Sequence, residues 1–144
     1  MTPPNILFIL ADDLGCWSLG YTGNQDAVTP HLDGMARQGM LLQNFFCASP
    51  VCSPARATLL TGRMPSVHGV LDWLDGGNMP APGEVPVEYL REFRGYTDYL
   101  HDAGYQCALS GKWHLGDSAR PQKGFGHWYA HQYGGGSYRG APMI

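Results

Sequence analysis

The sequence carries few charged residues and shows no excess of either sign. Lys, Arg, Asp and Glu together make up 15% of its 144 residues, and the net charge is −3. The nine basic residues are spread along the chain and form no cluster. Because a nucleic-acid surface needs a basic stripe or patch, we expect no nucleic-acid partner.

Long hydrophobic runs are also absent. The first apolar run, residues 6–11, is too short for a membrane span or a signal-peptide core, and no positively charged segment precedes it. We therefore expect no membrane association and a cytoplasmic location.

Cysteine is scarce, and the four cysteines form no C-x-x-C pair. This spacing does not support a disulfide framework or a structural zinc site. By default such isolated cysteines are small buried apolar residues. They are Cys16, Cys47, Cys52 and Cys107.

The order of the predicted elements indicates an α/β fold. A continuous apolar run is typical of a central strand in a parallel sheet, whereas a helix is marked by a cap or Pro at its start and Gly at its end. Strands and helices alternate along the chain, which favours helices layered on a mostly parallel sheet in one domain over 1–144. The predictions are strands at 5–11, 40–46 and 105–109, helices at 29–39, 52–62 and 97–103, a surface loop at 75–86, and no regular element over 116–144.

Three chemically reactive segments follow predicted strands. Asp12-Asp13 ends the first strand, Cys52 starts the helix after the second, and Lys112 and His114 follow the third. Ligands of open parallel sheets gather beyond the carboxyl ends of the strands. We therefore expect these side chains to converge on one pocket at that edge.

Asp12 and Asp13 are adjacent carboxylates that repel one another unless a cation lies between them. Hard oxygen ligands favour calcium or magnesium over zinc. The alternative is a turn with two solvated acids, and the pair alone does not decide between them.

Cys52 and Arg56 fall on one face of the predicted helix. A helix N-terminus favours a thiolate, and a guanidinium one turn away could reach an anion held there. For a bare C-x-x-x-R spacing the simpler interpretation is a buried cysteine with a surface arginine.

Taken with its neighbours, this segment resembles the signature of the formylglycine-dependent sulfatases. That signature is a C-x-P-x-R segment which a maturation enzyme reads, and in this chain it stands as C-S-P-A-R, residues 52–56. Three further segments resemble the family in the same order. They are the opening strand and carboxylate pair at 4–13, T-P-H-L-D at 29–33, and G-K-W-H-L-G at 111–116.

The resemblance implies an alkaline-phosphatase-like fold, three α/β/α layers around a mostly parallel sheet, incomplete in this chain. It implies that Cys52 is oxidised to formylglycine, whose hydrated aldehyde attacks the sulfur of a sulfate ester. Asp12, Asp13 and residue 52 would hold the cation, expected to be calcium, with magnesium as the alternative.

The remaining catalytic roles are also implied by the resemblance. Arg56 would orient the diol at position 52, and Lys112 would bind the sulfate oxygens. His114 would hydrogen-bond the diol and assist proton removal. Of the weaker candidates, His68 is expected to support its loop, and Trp73 to have a packing or surface role rather than line the substrate pocket.

The partners implied are a small sulfate ester, the maturation enzyme and the C-terminal portion of the same enzyme. The family takes further metal ligands from downstream, so we expect the chain alone to be inactive. Two other interpretations stay open: a phosphonate or phosphodiester hydrolase of the same superfamily, and a non-catalytic fragment or subunit.

Overall fold

The computed structural model describes residues 2–144, which divide into two compact units, residues 2–46 and residues 47–144. The first unit holds a short 3-10 turn, Gly20–Thr22, and helix α1, Pro30–Gln38. The second holds the other helices and the sheet. These are α2 (Cys52–Thr61), α3 (Pro65–His68), α4 (Tyr96–Asp102), β1 (Cys107–Gly111) and β2 (Phe125–Ala130).

The sheet of the second unit consists of two parallel strands. Cys107 pairs with Phe125 at one end and Gly111 with Ala130 at the other. The prediction of β1 is confirmed with a shift of two residues. β2 lies within 116–144, where no regular element was predicted, because its residues show no alternation and it is held by backbone pairing with β1.

The hydrophobic core lies in the second unit and joins α2 to the segment that follows β1. Trp113 packs at its centre, with its ring 5.2 Å from that of Trp128 and 6.2 Å from that of Phe125. The segment after β1 is therefore anchored by large apolar side chains. The buried members are Ala57, Leu60, Val70, Leu90, Trp113, Leu115 and Ala130.

Helix α2 begins at the cysteine of the signature, as the sequence predicts. Ala57 and Leu60 are buried on its inner face. Gly62 ends the helix with φ 65°, a left-handed conformation that favours glycine. The packed inner face fixes where the first residue of the helix lies.

Helix α1 is also confirmed. Thr29 directly precedes it, but the Thr29 side chain makes no capping hydrogen bond to the helix. The Thr29 hydroxyl donates to Oδ1 of Asp33 at 2.9 Å and accepts the N–H of Gly20 at 2.9 Å. Asp33 Oδ1 also accepts the N–H of Tyr21 at 2.9 Å. The Thr and Asp of T-P-H-L-D thus tie the helix to the turn at Gly20–Thr22.

The strands predicted at 5–11 and 40–46 are wrong for the structure: neither segment forms a strand among residues 2–144. Their apolar side chains are exposed, by 46–85% for the five residues from Ile6 to Leu10. A strand requires a second strand that hydrogen-bonds to its backbone, and a hydrophobic run does not by itself provide that second strand.

Cys16 and Cys47 are exposed, which contradicts the default expectation that they are buried. Cys16 belongs to the first unit, where residues 2–46 include no buried side chain, and Cys47 is the first residue of the second unit. The four cysteines are free thiols. Within residues 2–144, the helices are all too short or too polar to span a membrane.

Candidate active site

The start of α2 is joined to the segment after β1 by an arginine. Cys52 is the first helical residue and is partly exposed. One turn later, Arg56 donates from Nη1 to the carbonyl oxygen of Lys112 at 2.7 Å. The helix that carries Cys52 and the segment that carries Lys112 and His114 are therefore held together by a charge-assisted hydrogen bond.

His114 has an unusual backbone conformation and a fully buried side chain. Its φ is 58°, and its exposed fraction is 0%. Only three non-glycine residues in 2–144 have positive φ, and two of them, Asp13 and His114, are predicted site residues. Such conformations cost about 1–3 kcal/mol and concentrate at functional sites.

The imidazole of His114 is held by the segment at 73–74. Its Nε2 lies 3.0 Å from the carbonyl oxygen of Leu74. Because a carbonyl only accepts, Nε2 carries the proton, and Nδ1 is the acceptor in the neutral ring. The hydrogen bond therefore fixes the tautomer.

Trp73 contacts both of the predicted polar residues that follow β1. Its ring meets the His114 imidazole edge-to-face, with centroids 4.4 Å apart. The ammonium of Lys112 lies 5.5 Å from the centroid of the indole. The contacts agree with the packing role that the sequence favours for Trp73 and place that packing against His114 and Lys112.

Leu74 connects the start of α2 to His114 through its backbone. Its N–H donates to Oγ of Ser53 at 3.3 Å, and its carbonyl accepts from His114. Ser53 is fully buried and directly follows Cys52. Sequence reasoning missed both residues, although a serine on the buried face of a helix is a detectable signal.

His68 supports the chain after α2, as predicted. Its Nδ1 accepts the N–H of Val70 at 3.2 Å, and Nε2 lies 3.1 Å from the hydroxyl of Thr58. Nε2 is therefore the protonated nitrogen, and it donates to Thr58. Burial lowers the pKa of His68 below its ordinary value of 6.5.

This lowered pKa predicts a loss of stability in mild acid. The unfolded chain takes up the His68 proton first, so stability is present above the ordinary pKa of 6.5 and decreases as the pH falls below it. We expect the urea midpoint of the chain to decrease between about pH 7.5 and 5.5, and the decrease to be smaller in His68→Gln. An equal decrease of the urea midpoint in both proteins would contradict the assignment to His68.

Asp12 and Asp13 lie in the first unit, and the other four predicted residues lie in the second. Asp13 adopts the left-handed conformation, with φ 61°. Residues 2–144 contain no group of three or more His, Cys, Asp or Glu side chains placed to hold a metal ion. The carboxylate pair can therefore supply only part of a calcium site, which takes about 6–8 oxygens.

The sequence and fold match one protein family over nearly the whole chain. The model of the family described as Sulfatase matches residues 4–142. The chain belongs to the sulfatase family.

Two relatives show how this sulfatase chain compares with curated proteins. N-acetylgalactosamine-6-sulfatase of Canis lupus familiaris is 41% identical over 133 residues, which cover 88% of this chain and 25% of the relative. Steryl-sulfatase of Mus musculus is 43% identical over 134 residues, which cover 87% and 20%. The sulfatase chain thus spans about a quarter of the length of the curated relatives that it matches.

The fold of this sulfatase chain agrees with solved structures. The crystal structure described as Ps i-CgsB has a TM-score of 0.71 and 34% identity, over 88% of this chain and 27% of that one. Structure neighbours are sulfatases of the alkaline-phosphatase-like fold, so that part of the fold expectation is confirmed.

Proposed function

We propose that this chain supplies the nucleophile and the sulfate-binding residues of a sulfuric ester hydrolase, with Cys52 converted to formylglycine. The observation that carries the proposal is the hydrogen bond from Arg56 to the carbonyl of Lys112. It joins the start of α2 to the segment of Lys112 and His114. The proposed nucleophile, the Lys112 ammonium and the proposed base therefore belong to one packed unit.

The reaction at residue 52 takes two steps, a displacement at sulfur and then an elimination that breaks the bond from carbon to the sulfate oxygen. One hydroxyl of the hydrated aldehyde attacks the sulfur of the ester, the bond from sulfur to the alcohol oxygen breaks, and the alcohol leaves with a proton. The second hydroxyl then loses its proton as the aldehyde C=O re-forms and sulfate is expelled. A single hydroxyl could not take the second step, which is why a diol is required.

The hydrogen bond of His114 supports Nδ1 as the atom that removes the proton. Because Nε2 of His114 donates to Leu74, Nδ1 is the ring nitrogen that can accept a proton from the diol. Lys112 places its ammonium over the ring of Trp73, which also contacts the His114 imidazole. It would stabilise the charge that develops on the sulfate oxygens.

Asp12 and Asp13 fit a hard divalent cation, since both supply carboxylate oxygens of the type that calcium and magnesium take. When bound, the ion would neutralise charge at the sulfate and favour ionisation of the diol. We propose calcium, or alternatively magnesium, held by these two side chains with ligands from outside residues 2–144. That residue 52 joins the set stays a prediction.

The substrate is defined by its sulfate half. The two relatives are named for a 6-sulfated N-acetylgalactosamine and for a steryl sulfate, so their alcohols differ greatly. What they share is the sulfate ester. We propose a small sulfate ester as the substrate class, and a maturation enzyme that reads C-S-P-A-R as the partner.

The proposal is tested on the protein expressed from its complete gene together with a maturation enzyme. We expect formylglycine at residue 52 and hydrolysis of an aryl sulfate. An unmodified thiol at residue 52 in a protein that still hydrolyses the ester would remove the proposed nucleophile. A modified protein that does not hydrolyse any sulfate ester would contradict the proposed hydrolase activity.

A further inference from the structure

Three consecutive glycines, Gly134 to Gly136, follow β2, and the first lies directly against the His114 imidazole. A Cβ built on Gly134 would lie 2.0 Å from both Cδ2 and Nε2 of His114 and 2.4 Å from Cε1. Non-bonded carbon atoms approach to only about 3.5–4.0 Å. A side chain at 134 therefore cannot coexist with the ring in its present position.

The requirement for glycine at 134 is one of space, not of backbone conformation. Gly134 is buried, and its φ lies outside the left-handed region. Its two neighbours behave differently. A Cβ on Gly135 would lie 3.4 Å from the indole of Trp73, an ordinary contact, and one on Gly136 would meet nothing within 4 Å.

The Gly134 backbone completes the enclosure of the imidazole. The carbonyl oxygen of Leu74 accepts a hydrogen bond from Nε2–H, and the Trp73 ring packs on the imidazole with centroids 4.4 Å apart. Gly134 contacts a further side of the ring. Because the ring is fully buried, a side chain at 134 could be accommodated only by displacing the ring. Displacing it would break the hydrogen bond that fixes the tautomer.

We propose that Gly134 is a positioning residue, which holds the His114 imidazole in the tautomer and orientation needed to accept a proton at Nδ1. This inference rests on the proposed role of His114 in sulfate ester hydrolysis. Gly134→Ala would push the ring away from Leu74 and misplace Nδ1. A misplacement of about 1 Å can lower a rate by about 10²-fold.

The test compares Gly134→Ala with Gly136→Ala in the protein expressed from its complete gene and matured. We expect Gly134→Ala to lower kcat for an aryl sulfate by about 10²-fold with little change in KM, and to shift the pH profile of kcat. Gly136→Ala is the matched control and should behave as the unsubstituted protein. Equal effects of the two substitutions would overturn the proposal.

A double substitution separates positioning from a general loss of folding. In a His114→Ala background the space for a Cβ at 134 exists, so Gly134→Ala should lower neither kcat nor the unfolding midpoint further. If Gly134→Ala lowers the midpoint by the same amount with and without His114, glycine is needed by the backbone and the proposal fails.

A spectroscopic readout makes the test independent of turnover. Imidazole nitrogen NMR of the protein expressed from its complete gene should show His114 protonated at Nε2, with that signature changed by Gly134→Ala and kept by Gly136→Ala. An unchanged signature in Gly134→Ala would overturn the proposal even if the protein is a sulfatase. A changed signature in a protein that hydrolyses no sulfate ester would instead contradict the proposed function.

Discussion

Cys52→Ser is expected to abolish turnover of sulfate esters. The serine hydroxyl can accept the sulfuryl group but has no second hydroxyl to expel it, so the protein should stop as a sulfated species. Losses on removing a catalytic nucleophile reach about 10⁴- to 10⁶-fold in kcat. Stability should change little, since Cys52 is partly exposed and α2 is anchored by Ala57 and Leu60.

The measurement is multiple turnover of an aryl sulfate and an aryl phosphonate by the matured protein from the complete gene. Cys47→Ser is the matched control, because Cys47 is exposed and outside the motif. It should keep full activity. Retained turnover in Cys52→Ser would refute the nucleophile assignment, and faster turnover of the phosphonate by the unsubstituted protein would favour the rival hydrolase.

Lys112→Met is expected to lower kcat/KM for an aryl sulfate by about 10²- to 10³-fold. The substitution keeps the length of the side chain and removes the charge that would stabilise the sulfate oxygens. Arg56 bonds to the backbone carbonyl of Lys112, so that link survives the change. The cation–π contact with Trp73 is lost, which costs only about 0.5–1 kcal/mol of stability.

Activity and stability should therefore separate in this variant. The two measurements are kcat/KM and the urea midpoint, with Arg139→Met as the control for loss of an exposed positive charge. Lys112→Arg, which keeps the charge, should recover part of the activity. A loss of kcat/KM that is matched by unfolding, or no loss at all, would contradict the role of Lys112.

The helices were predictable because their signals are local. Pro54 in the first turn and Gly62 at the end mark α2, and the structure places both as predicted. The same holds for α1, which begins at Pro30. Such residues act through their own backbone preferences, so the surrounding fold hardly alters what they indicate.

Strands were less predictable because a strand is a property of a pair. The most hydrophobic segment, residues 5–11, forms none among the described residues, whereas β2, with Gly126 and His127 inside it, pairs with β1. Hydrophobicity indicates that the side chains of a segment should be buried, but it does not indicate which strand will hydrogen-bond to the backbone.

Within the candidate site, the sequence identifies side chains that carry charge or a nucleophile, but not the groups that hold them. Leu74 acts through its N–H and carbonyl, and any residue but proline offers the same groups. Gly134 acts by lacking a side chain, and nothing in the run of three glycines shows which one touches His114. These roles depend on contacts between distant segments.

The most direct test of the account is the chemical state of residue 52. The chain is co-expressed with a maturation enzyme, and its remaining thiols are alkylated. After digestion, the masses of the peptides are measured by mass spectrometry. Conversion of cysteine to formylglycine lowers the peptide mass by about 18 Da, whereas the hydrated form has nearly the mass of the thiol but resists alkylation. We predict a converted fraction at Cys52 and alkylated thiols at Cys16, Cys47 and Cys107. A Cys52 peptide that is wholly alkylated would show that C-S-P-A-R is not read as a maturation signal and would contradict the account.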